Sequence, residues 1–298
     1  MEYRSLGKSD LQVSEIGFGC MSLGPQQSDA IHLLQEAMAA GINYFDTADL
    51  YDKGENEKLL GKAIKDRRSS VIVATKGGNQ WNAQGTAWTW NASPDYLMQA
   101  AEDSLRRLGT SYIDLYQLHG GTIEDPIDDI IAVFERLKEQ GKIRYYGISS
   151  IRPNVIRAWL QRGGLTSVMM QYSLLDRRPE ESCIELLQTT TTGMLARGVL
   201  AKGLLAGKTA EPFLNYTAAQ VAAAAARVQA ISTARRQPAG TAVQYVLHQP
   251  VVSSAVIGIR TQEQLNQAIA AGLSVPLSEN EWKTLAAALP ANEYDVHR

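Results

Sequence analysis

The stretch YFDTADLYDKGENEKLLG, residues 44–61, decides the fold of this chain. A short apolar run typical of a buried strand ends on Asp46, and a polar loop places Tyr51 five residues later. Taken alone, this pair could be a strand end followed by an ordinary loop. The rest of the chain has to supply the partners that would turn this strand end into a functional site.

Apolar runs of the same kind recur along the chain, and amphipathic stretches with helical spacing separate them. This spacing is clear in SDAIHLLQEAMAAG (28–41) and PIDDIIAVFERLKEQG (126–141), which begin with Ser or Pro and end at Gly, as helix capping predicts. The Ala-rich stretch TAAQVAAAAARVQAISTARR (217–236) is also predicted to be helical, because Ala is the strongest helix former. Eight apolar runs alternate with such segments: IGFGCM, INYFDTA, VIVATKG, YIDLYQLHG, IRYYGISS, SVMMQYSLL, GMLARGVL and SSAVIGI.

Strand–helix units in series give parallel strands with helical crossovers, and eight such strands close a barrel. The competing fold is an open, doubly wound sheet, which normally carries a G-x-G-x-x-G turn after its first strand. The segment GFGCMSLG (17–24) has glycines without that spacing. We therefore predict a (β/α)8 TIM barrel, as a single domain over residues 1–298. An N-terminal β-hairpin within EYRSLGKSDLQVSEIGFG (2–19) is predicted to close the barrel bottom.

The composition is that of a globular protein and excludes several classes of partner. Of the 298 residues, 45% are hydrophobic and 20% charged, and the formal net charge of −2 argues against nucleic-acid or membrane-surface binding. Cys20 and Cys183 are too few for a disulfide framework. No signal peptide or apolar run of membrane-spanning length is visible, so a cytoplasmic protein is predicted, as a monomer or weak homo-oligomer.

Four titratable residues stand at or just after three neighbouring strands. Asp46 ends the second run, Lys76 the third and His119 the fourth, and Tyr51 follows in the loop after the second. Because the active site of a (β/α)8 barrel is built at the C-terminal ends of its strands, these side chains are predicted to meet at one rim. Each alone has an ordinary interpretation as a cap, a packed ring or a satisfied polar group, but their coincidence at adjacent strand ends favours a site.

The four side chains form a coherent set for protonating an oxygen. An ammonium beside a phenol favours its ionised form, so Lys76 would make Tyr51 a better proton donor. Asp46 would keep Lys76 charged in a partly buried place, where an unpaired ammonium is costly. His119 could orient a substrate oxygen by a hydrogen bond. Carbonyl reduction requires this kind of proton delivery as charge develops on the oxygen.

Over essentially its whole length, the chain resembles the aldo-keto reductase family. INYFDTADLYDKGENEKLLGKAI, VIVATKGG, LRRLGTSYIDLYQLHG and LKEQGKIRYYGISS match the family's blocks in order. The resemblance implies an NADPH-dependent reductase of aldehyde or ketone carbonyls that works without a metal. It further implies Tyr51 as general acid, tuned by Lys76 and Asp46, with His119 orienting the carbonyl.

The resemblance also assigns residues to the cofactor. Ser149 and Gln171 would hold the nicotinamide carboxamide, and Ser150 stands where the family usually has Asn. Arg197 occupies the position of a ring-stacking Tyr, as in some bacterial branches, although it could also be an arginine on a surface loop. The remaining implied cofactor contacts are Met21, Asp46, Gly198, Leu200, Lys202 and Lys208, with Gly258 near the pyrophosphate or ribose, Arg260 at the 2′-phosphate and Gln264 at the adenine. Lys202 and Lys208 could equally be solvated, and Ala268 replaces a frequent Asn.

The loop after the third strand carries Trp81, Trp88 and Trp90, which are predicted to line the substrate pocket or else to pack the loop onto the barrel. Two other function classes stay open at this stage. One is a metal-dependent hydrolase or isomerase barrel, which the lack of paired histidines on any strand disfavours. The other is a binding subunit that senses the nicotinamide redox state with little or no turnover.

Overall fold

The computed structural model describes residues 1–24 and 29–298. Its strands are β1 Tyr3–Ser5, β2 Gln12–Ser14, β3 Ile16–Gly19, β4 Tyr44–Asp46, β5 Ile72–Gly77, β6 Asn79–Trp81, β7 Trp88–Trp90, β8 Ile113–Leu118, β9 Ile143–Ser149, β10 Ser167–Gln171, β11 Gly193–Arg197 and β12 Val252–Gly258. Its helices are α1 Ala30–Ala39, α2 Glu55–Ile64, α3 Pro94–Leu108, α4 Ile127–Glu139, α5 Pro153–Arg162, α6 Cys183–Gln188, α7 Ala218–Ile231, α8 Pro238–Leu247, α9 Gln262–Gly272 and α10 Glu279–Ala286.

Eight parallel strands close into a barrel in the order β3-β4-β5-β8-β9-β10-β11-β12, with β12 paired back to β3. Seven of them lie within one of the apolar runs of the sequence, and β12 begins one residue before its run, at Val252; the intervening segments form the helices of the outer layer. The predicted (β/α)8 barrel is therefore confirmed. Parallel strands in a barrel are covered on both sides, which is why these runs are apolar throughout instead of alternating.

The barrel interior and its lower end form one apolar cluster. Strand residues that point inward, such as Tyr44, Leu115 and Leu195, pack together with Leu6 and Leu11 of the β1–β2 hairpin. The hairpin's backbone is anchored at the start of β11, where the Lys8 N–H donates to the Thr191 carbonyl at 2.9 Å. The N-terminal hairpin thus closes the barrel at the N-terminal ends of its strands, as predicted.

Local helix signals agree with the observed boundaries. Gly109, in the left-handed region at φ +64°, ends α3, because glycine adopts this conformation without a Cβ penalty. The Ala-rich helix α7 begins at a capping box made by Thr217 and Gln220 and ends at Ile231, five residues before the end of the predicted segment. Helix α1 occupies most of 28–41, and its expected start at Ser28 lies outside the described residues.

The segment after β5, expected to be a loop, contains a two-stranded antiparallel hairpin. Strands β6 and β7 pair Asn79 with Trp90 and Trp81 with Trp88. Cross-strand aromatic pairs stabilise such ribbons, which explains why this segment is ordered at the barrel rim. Within the part of the chain that the structure describes, no helix has the length and apolar character needed to cross a membrane.

Candidate active site

The barrel brings the four predicted side chains together at the C-terminal rim. Asp46 is the last residue of β4, Lys76 is next to last in β5, and His119 directly follows β8. Tyr51 opens a short 3-10 helix over Tyr51–Gly54, after the β4 strand end. Parallel register places these strand ends side by side, with Lys76 opposite Gln117 of β8.

The Lys76 ammonium is the centre of the site. Its Nζ donates to Asp46 Oδ1 at 2.6 Å and to the Thr47 carbonyl at 2.7 Å, and it lies 3.4 Å from the Tyr51 hydroxyl oxygen. The Lys76 side chain is 1% exposed and that of Asp46 is 6% exposed. Gln117 Nε2 reaches the second oxygen of Asp46 at 3.4 Å. All three donor positions of the ammonium therefore meet oxygen atoms, which offsets the cost of burying it.

The electrostatics of the pair keep the lysine charged. Burial alone would lower the pKa of Lys76, but the adjacent carboxylate of Asp46 and the Tyr51 oxygen outweigh it, so that the pKa lies above its ordinary value. For Asp46, burial raises the pKa of the carboxyl while the Lys76 ammonium opposes that rise. The ammonium is thus held as a fixed positive charge beside the Tyr51 phenol.

His119 is held by its backbone while its imidazole is left available. Its N–H donates to the Gly77 carbonyl at 2.8 Å, and its own carbonyl accepts from Asn79 Nδ2 at 3.1 Å. The ring lies edge-on to Tyr51 with the centroids 5.7 Å apart, and Nδ1 is buried without a hydrogen-bond partner among the described residues. Burial, followed by the charges of Lys76 and Arg197, lowers the pKa of His119 to about 3. The imidazole is therefore neutral near pH 7, and a neutral imidazole offers a hydrogen bond without adding charge.

Above these residues opens a cleft of about 1300 Å³, larger than the 300–1,000 Å³ of ordinary ligand pockets. The residues singled out in the sequence that line it are Met21, Asp46, Tyr51, Trp88, Trp90, His119, Ser149, Ser150, Arg197, Gly198, Leu200, Lys202, Lys208, Gly258, Arg260 and Gln264. Sites that were predicted from separate blocks of sequence therefore share one cavity.

Three other predicted residues do not line the cleft. Lys76 lies beneath it, behind Asp46 and Tyr51. Gln171 ends β10 with its side chain against Gly198. Trp81 turns to the preceding loop, where its indole N–H donates to the Leu50 carbonyl at 3.2 Å. For Trp81 the structure therefore shows the packing interpretation, since its ring is used to hold the loop that carries Tyr51.

Trp88 and Trp90 behave differently from Trp81. Trp88 is 51% exposed at the cleft edge. Trp90 is half-buried and donates from Nε1 to Asp125 Oδ1 at 2.9 Å, while Asp125 Oδ2 accepts from the Thr122 N–H at 2.6 Å. The β6–β7 hairpin is thereby tied to the loop after β8. One wall of the cleft is aromatic as a result.

The end of the cleft near β11 and β12 carries positive charge. Lys202, Lys208 and Arg260 all line it, and the backbone of Gly258 is exposed there. A Cβ at Gly258 would meet Ser22 Oγ at 2.5 Å, so a larger residue here would have to displace that hydroxyl. Three cations and an open backbone suit the phosphates of a dinucleotide. Gln264 is held beside them, accepting at Oε1 from the Arg260 N–H at 2.9 Å.

Several cleft residues were not found by sequence reasoning. Asn79 lies beside His119, and Arg152 donates to the Gly121 carbonyl across the mouth of the cleft. Asn79 begins β6 and Arg152 lies in the loop after β9; the paths of both segments depend on tertiary packing, and the sequence gives only their position shortly after a barrel strand. In residues 1–24 and 29–298, no group of three or more His, Cys, Asp or Glu side chains is arranged to hold a metal ion.

Comparison with known proteins agrees with this geometry. The model of the aldo/keto reductase family matches residues 15–290. An oxidoreductase of Bacillus subtilis named YqkF is 45% identical over the full length of both chains. The holo form of the aldo-keto reductase AKR11C1 from Bacillus halodurans is 46% identical and superposes with a TM-score of 0.94, covering 100% of this chain and 99% of the other. The glycerol dehydrogenase AKR11B4 from Gluconobacter oxydans is 26% identical with a TM-score of 0.87, over 96% and 94% of the two chains.

The family match spans nearly the whole barrel, from just before β3 to just after α10. The two relatives of 45–46% identity cover the chain end to end. Sequence and fold therefore lead to the same assignment. This chain belongs to the aldo/keto reductase family, and it is an oxidoreductase of carbonyl compounds.

Proposed function

We propose that this protein reduces aldehyde or ketone carbonyls to alcohols with NADPH, and that Tyr51 is the proton donor. The observation that carries the proposal is the arrangement of Tyr51 on the Lys76–Asp46 pair. The Tyr51 hydroxyl lies 3.4 Å from a buried ammonium that is itself held at 2.6 Å by a carboxylate, and it borders the cleft next to neutral His119.

The residues around the cleft fit the two halves of the cofactor. Ser149 and Ser150 at the end of β9, with Gln171 next to Gly198, are the groups that would hold a carboxamide. The Arg197 guanidinium is planar and can lie flat against an aromatic ring. Lys202, Lys208 and Arg260 would hold the phosphates, and a bidentate contact from Arg260 would favour NADPH over NADH. These contacts explain why the large cleft has one charged and one aromatic end.

NADPH supplies the hydride when it is bound. The chain's own residues act on the oxygen of the carbonyl. His119, which is neutral, donates a hydrogen bond to that oxygen and orients it. Tyr51 gives its proton as negative charge develops there, and the Lys76 ammonium stabilises the phenolate that remains. Asp46 keeps the ammonium in place through this change of charge.

The test compares wild type with Tyr51→Phe in the consumption of NADPH with a panel of aldehydes and ketones. Loss of a positioned general acid costs about 10²–10⁴ in rate, so kcat should fall by that factor while the Kd for NADPH, measured by fluorescence titration, stays within about twofold. Tyr112→Phe is the matched control, because this phenol lies just before β8 with its ring against Arg68, away from the cleft.

The outcomes separate the alternatives. If wild type and Tyr51→Phe reduce carbonyls at equal rates, the role of Tyr51 is wrong. If both bind NADPH and neither reduces any carbonyl, the protein acts as a binding subunit that senses the nicotinamide redox state. If activity disappears in the presence of a chelator, the proposed metal-free mechanism is wrong.

A further inference from the structure

We propose that Asp49 is a positioning residue for carbonyl reduction: its protonated carboxyl group completes a hydrogen-bonded chain from the Tyr51 loop through Tyr96 and Asn79 to His119, and the chain opens when that carboxyl ionises. This proposal rests on the proposed function for its kinetic consequence. Its structural part can be tested without turnover.

Asp49 lies in the loop after β4, three residues after Asp46 and two before Tyr51. Its backbone N–H donates to the Lys76 carbonyl at 3.2 Å, which anchors the loop on β5. Its side-chain Oδ2 lies 3.2 Å from the Tyr96 hydroxyl of α3. Although the residue keeps some exposed surface, Oδ1 is buried and has no hydrogen-bond partner among the described residues.

The Tyr96 hydroxyl has two acceptors and one proton. It lies 3.2 Å from Asp49 Oδ2 and 3.2 Å from the Asn79 carbonyl oxygen. A phenol donates one hydrogen bond and can accept another. If Asp49 is ionised, both neighbours need the same proton and one of them goes without. If Asp49 is protonated, it donates to the Tyr96 hydroxyl and Tyr96 donates to the Asn79 carbonyl, so that both 3.2 Å contacts are hydrogen bonds.

The surroundings of Asp49 act in both directions, and burial together with Glu57 outweighs the groups that favour the carboxylate. From α2, Glu57 is buried and already ionically paired: its Oε2 accepts from Arg107 of α3 at 2.6 Å, and its Oε1 accepts from the Thr75 hydroxyl at 2.6 Å. From β8 comes the Tyr116 hydroxyl, buried and without a partner in the described part of the chain. Burial first, and then the charge of Glu57, raise the pKa of Asp49 to about 7, while Arg107, the Tyr96 hydroxyl and the Leu50 backbone act to lower it.

The chain continues from Tyr96 to the substrate side of the cleft. Asn79 is the first residue of β6, pairs with Trp90 of β7 and itself lines the cleft. Its side-chain Nδ2 donates to the His119 carbonyl at 3.1 Å. A change in what holds the Asn79 backbone therefore reaches the aromatic wall through Trp90 and the backbone of His119 through its carbonyl.

The sign of the pH effect follows from this arrangement. Below about pH 7, Asp49 carries a proton and the chain to His119 is complete. Above it, Tyr96 turns to the carboxylate and the Asn79 carbonyl loses its donor. The net free energy of one neutral hydrogen bond corresponds to about a two- to tenfold change in an equilibrium constant. Wild-type kcat/KM for an aldehyde should fall by that factor between about pH 6 and about pH 8, with the Kd for NADPH unchanged.

Two variants should each hold the hydrogen-bonded chain in one of its two states. Asp49→Asn keeps a donor towards Tyr96 at every pH, so its kcat/KM should show no step near about pH 7 and should stay at the value that wild type has at low pH. Tyr96→Phe removes the hydroxyl that reaches Asn79, so its kcat/KM should stay at the value that wild type has at high pH. Asp95→Asn is the matched control, since it removes an exposed carboxylate next to Tyr96 in the chain and should leave the wild-type step in place. A step of wild-type size in Asp49→Asn, or a flat wild-type profile, overturns the proposal.

Infrared difference spectroscopy tests the protonation itself. The spectrum of wild type minus Asp49→Asn should show the C=O stretch of a neutral carboxylic acid at about pH 6, and this band should be lost by about pH 8.5 as the carboxylate forms. Asp95→Asn, with its solvent-exposed carboxyl, should give no such band. A spectrum that shows only carboxylate at about pH 6 overturns the proposal even if the enzyme is active. The band, if present, stands even if the proposed carbonyl reduction fails.

Discussion

Replacement of Lys76 by Met tests the Lys76–Asp46 ion pair, because Met fills a similar volume without the ammonium. In wild type, Asp46 is paired at 2.6 Å while its side chain is 6% exposed. In Lys76→Met, the only hydrogen bond left to that carboxyl from the described residues is the 3.4 Å contact with Gln117. A buried carboxylate in this position has to be neutralised, and protonation is the route open to it.

The magnitude can be worked out from the protonation cost. An ordinary Asp carboxyl has a pKa of 3.8. Keeping it protonated costs about 1.4 kcal/mol for each pH unit above that value, which is about 4 kcal/mol at about pH 7 and about 1.6 kcal/mol at about pH 5. The Thr47 carbonyl also loses its 2.7 Å donor, which adds about 1–3 kcal/mol independent of pH. A protein with about 5–15 kcal/mol of total stability survives this loss but is clearly weakened.

The sign of the pH dependence is set by linkage. In the variant, the folded protein holds a proton on Asp46 that the unfolded chain releases above about pH 4, so the free energy of unfolding falls as the pH rises. The difference in free energy of unfolding between wild type and Lys76→Met should therefore grow by about 2–3 kcal/mol between about pH 5 and about pH 7. Urea unfolding followed by circular dichroism at both pH values measures this difference directly.

The double variant Asp46→Asn/Lys76→Met is the control, because it has no carboxyl left to titrate. Its deficit should be the same at both pH values. If the deficit of Lys76→Met alone is independent of pH, Asp46 is not the buried charge that this structure describes. The reasoning about Tyr51 then loses its basis, since it depends on an ammonium fixed by that carboxylate.

Three further outcomes are expected. His119 stays neutral in the fold at pH values where the unfolded chain takes up a proton, because its pKa is lowered from 6.5 to about 3. The free energy of unfolding of wild type should therefore fall as the pH drops below about 6.5, and that of His119→Gln should fall less between about pH 6.5 and about pH 4.5 in urea unfolding. Equal losses would contradict the buried neutral imidazole. Arg260→Gln should raise the Kd for NADPH by about 10- to 100-fold, the value of a charge-assisted hydrogen bond, and leave the Kd for NADH unchanged in fluorescence titration. Trp90→Phe should change the KM for aldehydes, whereas Trp81→Phe should lower stability by about 1 kcal/mol and leave KM unchanged, because only the first ring lines the cleft.

The barrel and its four rim residues could be predicted because they depend on local features. Each barrel strand is an apolar run bounded by polar residues, and parallel strands in series have few ways to pack. Once the strands are in register, their C-terminal ends lie at one rim whatever the loops do. Asp46, Lys76 and His119 stand at such ends, so sequence position alone placed them. Their assigned roles stay predictions until the kinetic tests are made.

The loops could not be predicted in the same way, since their paths depend on contacts between distant segments. Trp81, Trp88 and Trp90 looked equivalent as three indoles in one loop. The hairpin register turns Trp81 onto the Leu50 carbonyl, whereas Trp90 reaches Asp125, 35 residues later. Nothing in the local sequence indicates which indole finds which partner.

The tetrapeptide DTAD, residues 46–49, shows most clearly where sequence reasoning stops. Its two carboxyl groups have the same chemistry and stand three residues apart, Asp46 at the end of β4 and Asp49 in the loop that follows. Asp46 meets an ammonium from β5, 30 residues along the chain, and is held as one half of an ion pair. Asp49 meets a phenol from α3, 47 residues away, beside a carboxylate that is already paired, and its pKa rises to about 7. Burial raises the pKa of both carboxyls, but only at Asp46 does the Lys76 ammonium oppose that rise. Asp46 therefore fixes the ammonium beside Tyr51, and Asp49 is left free to respond to pH, which is why the two cannot exchange roles.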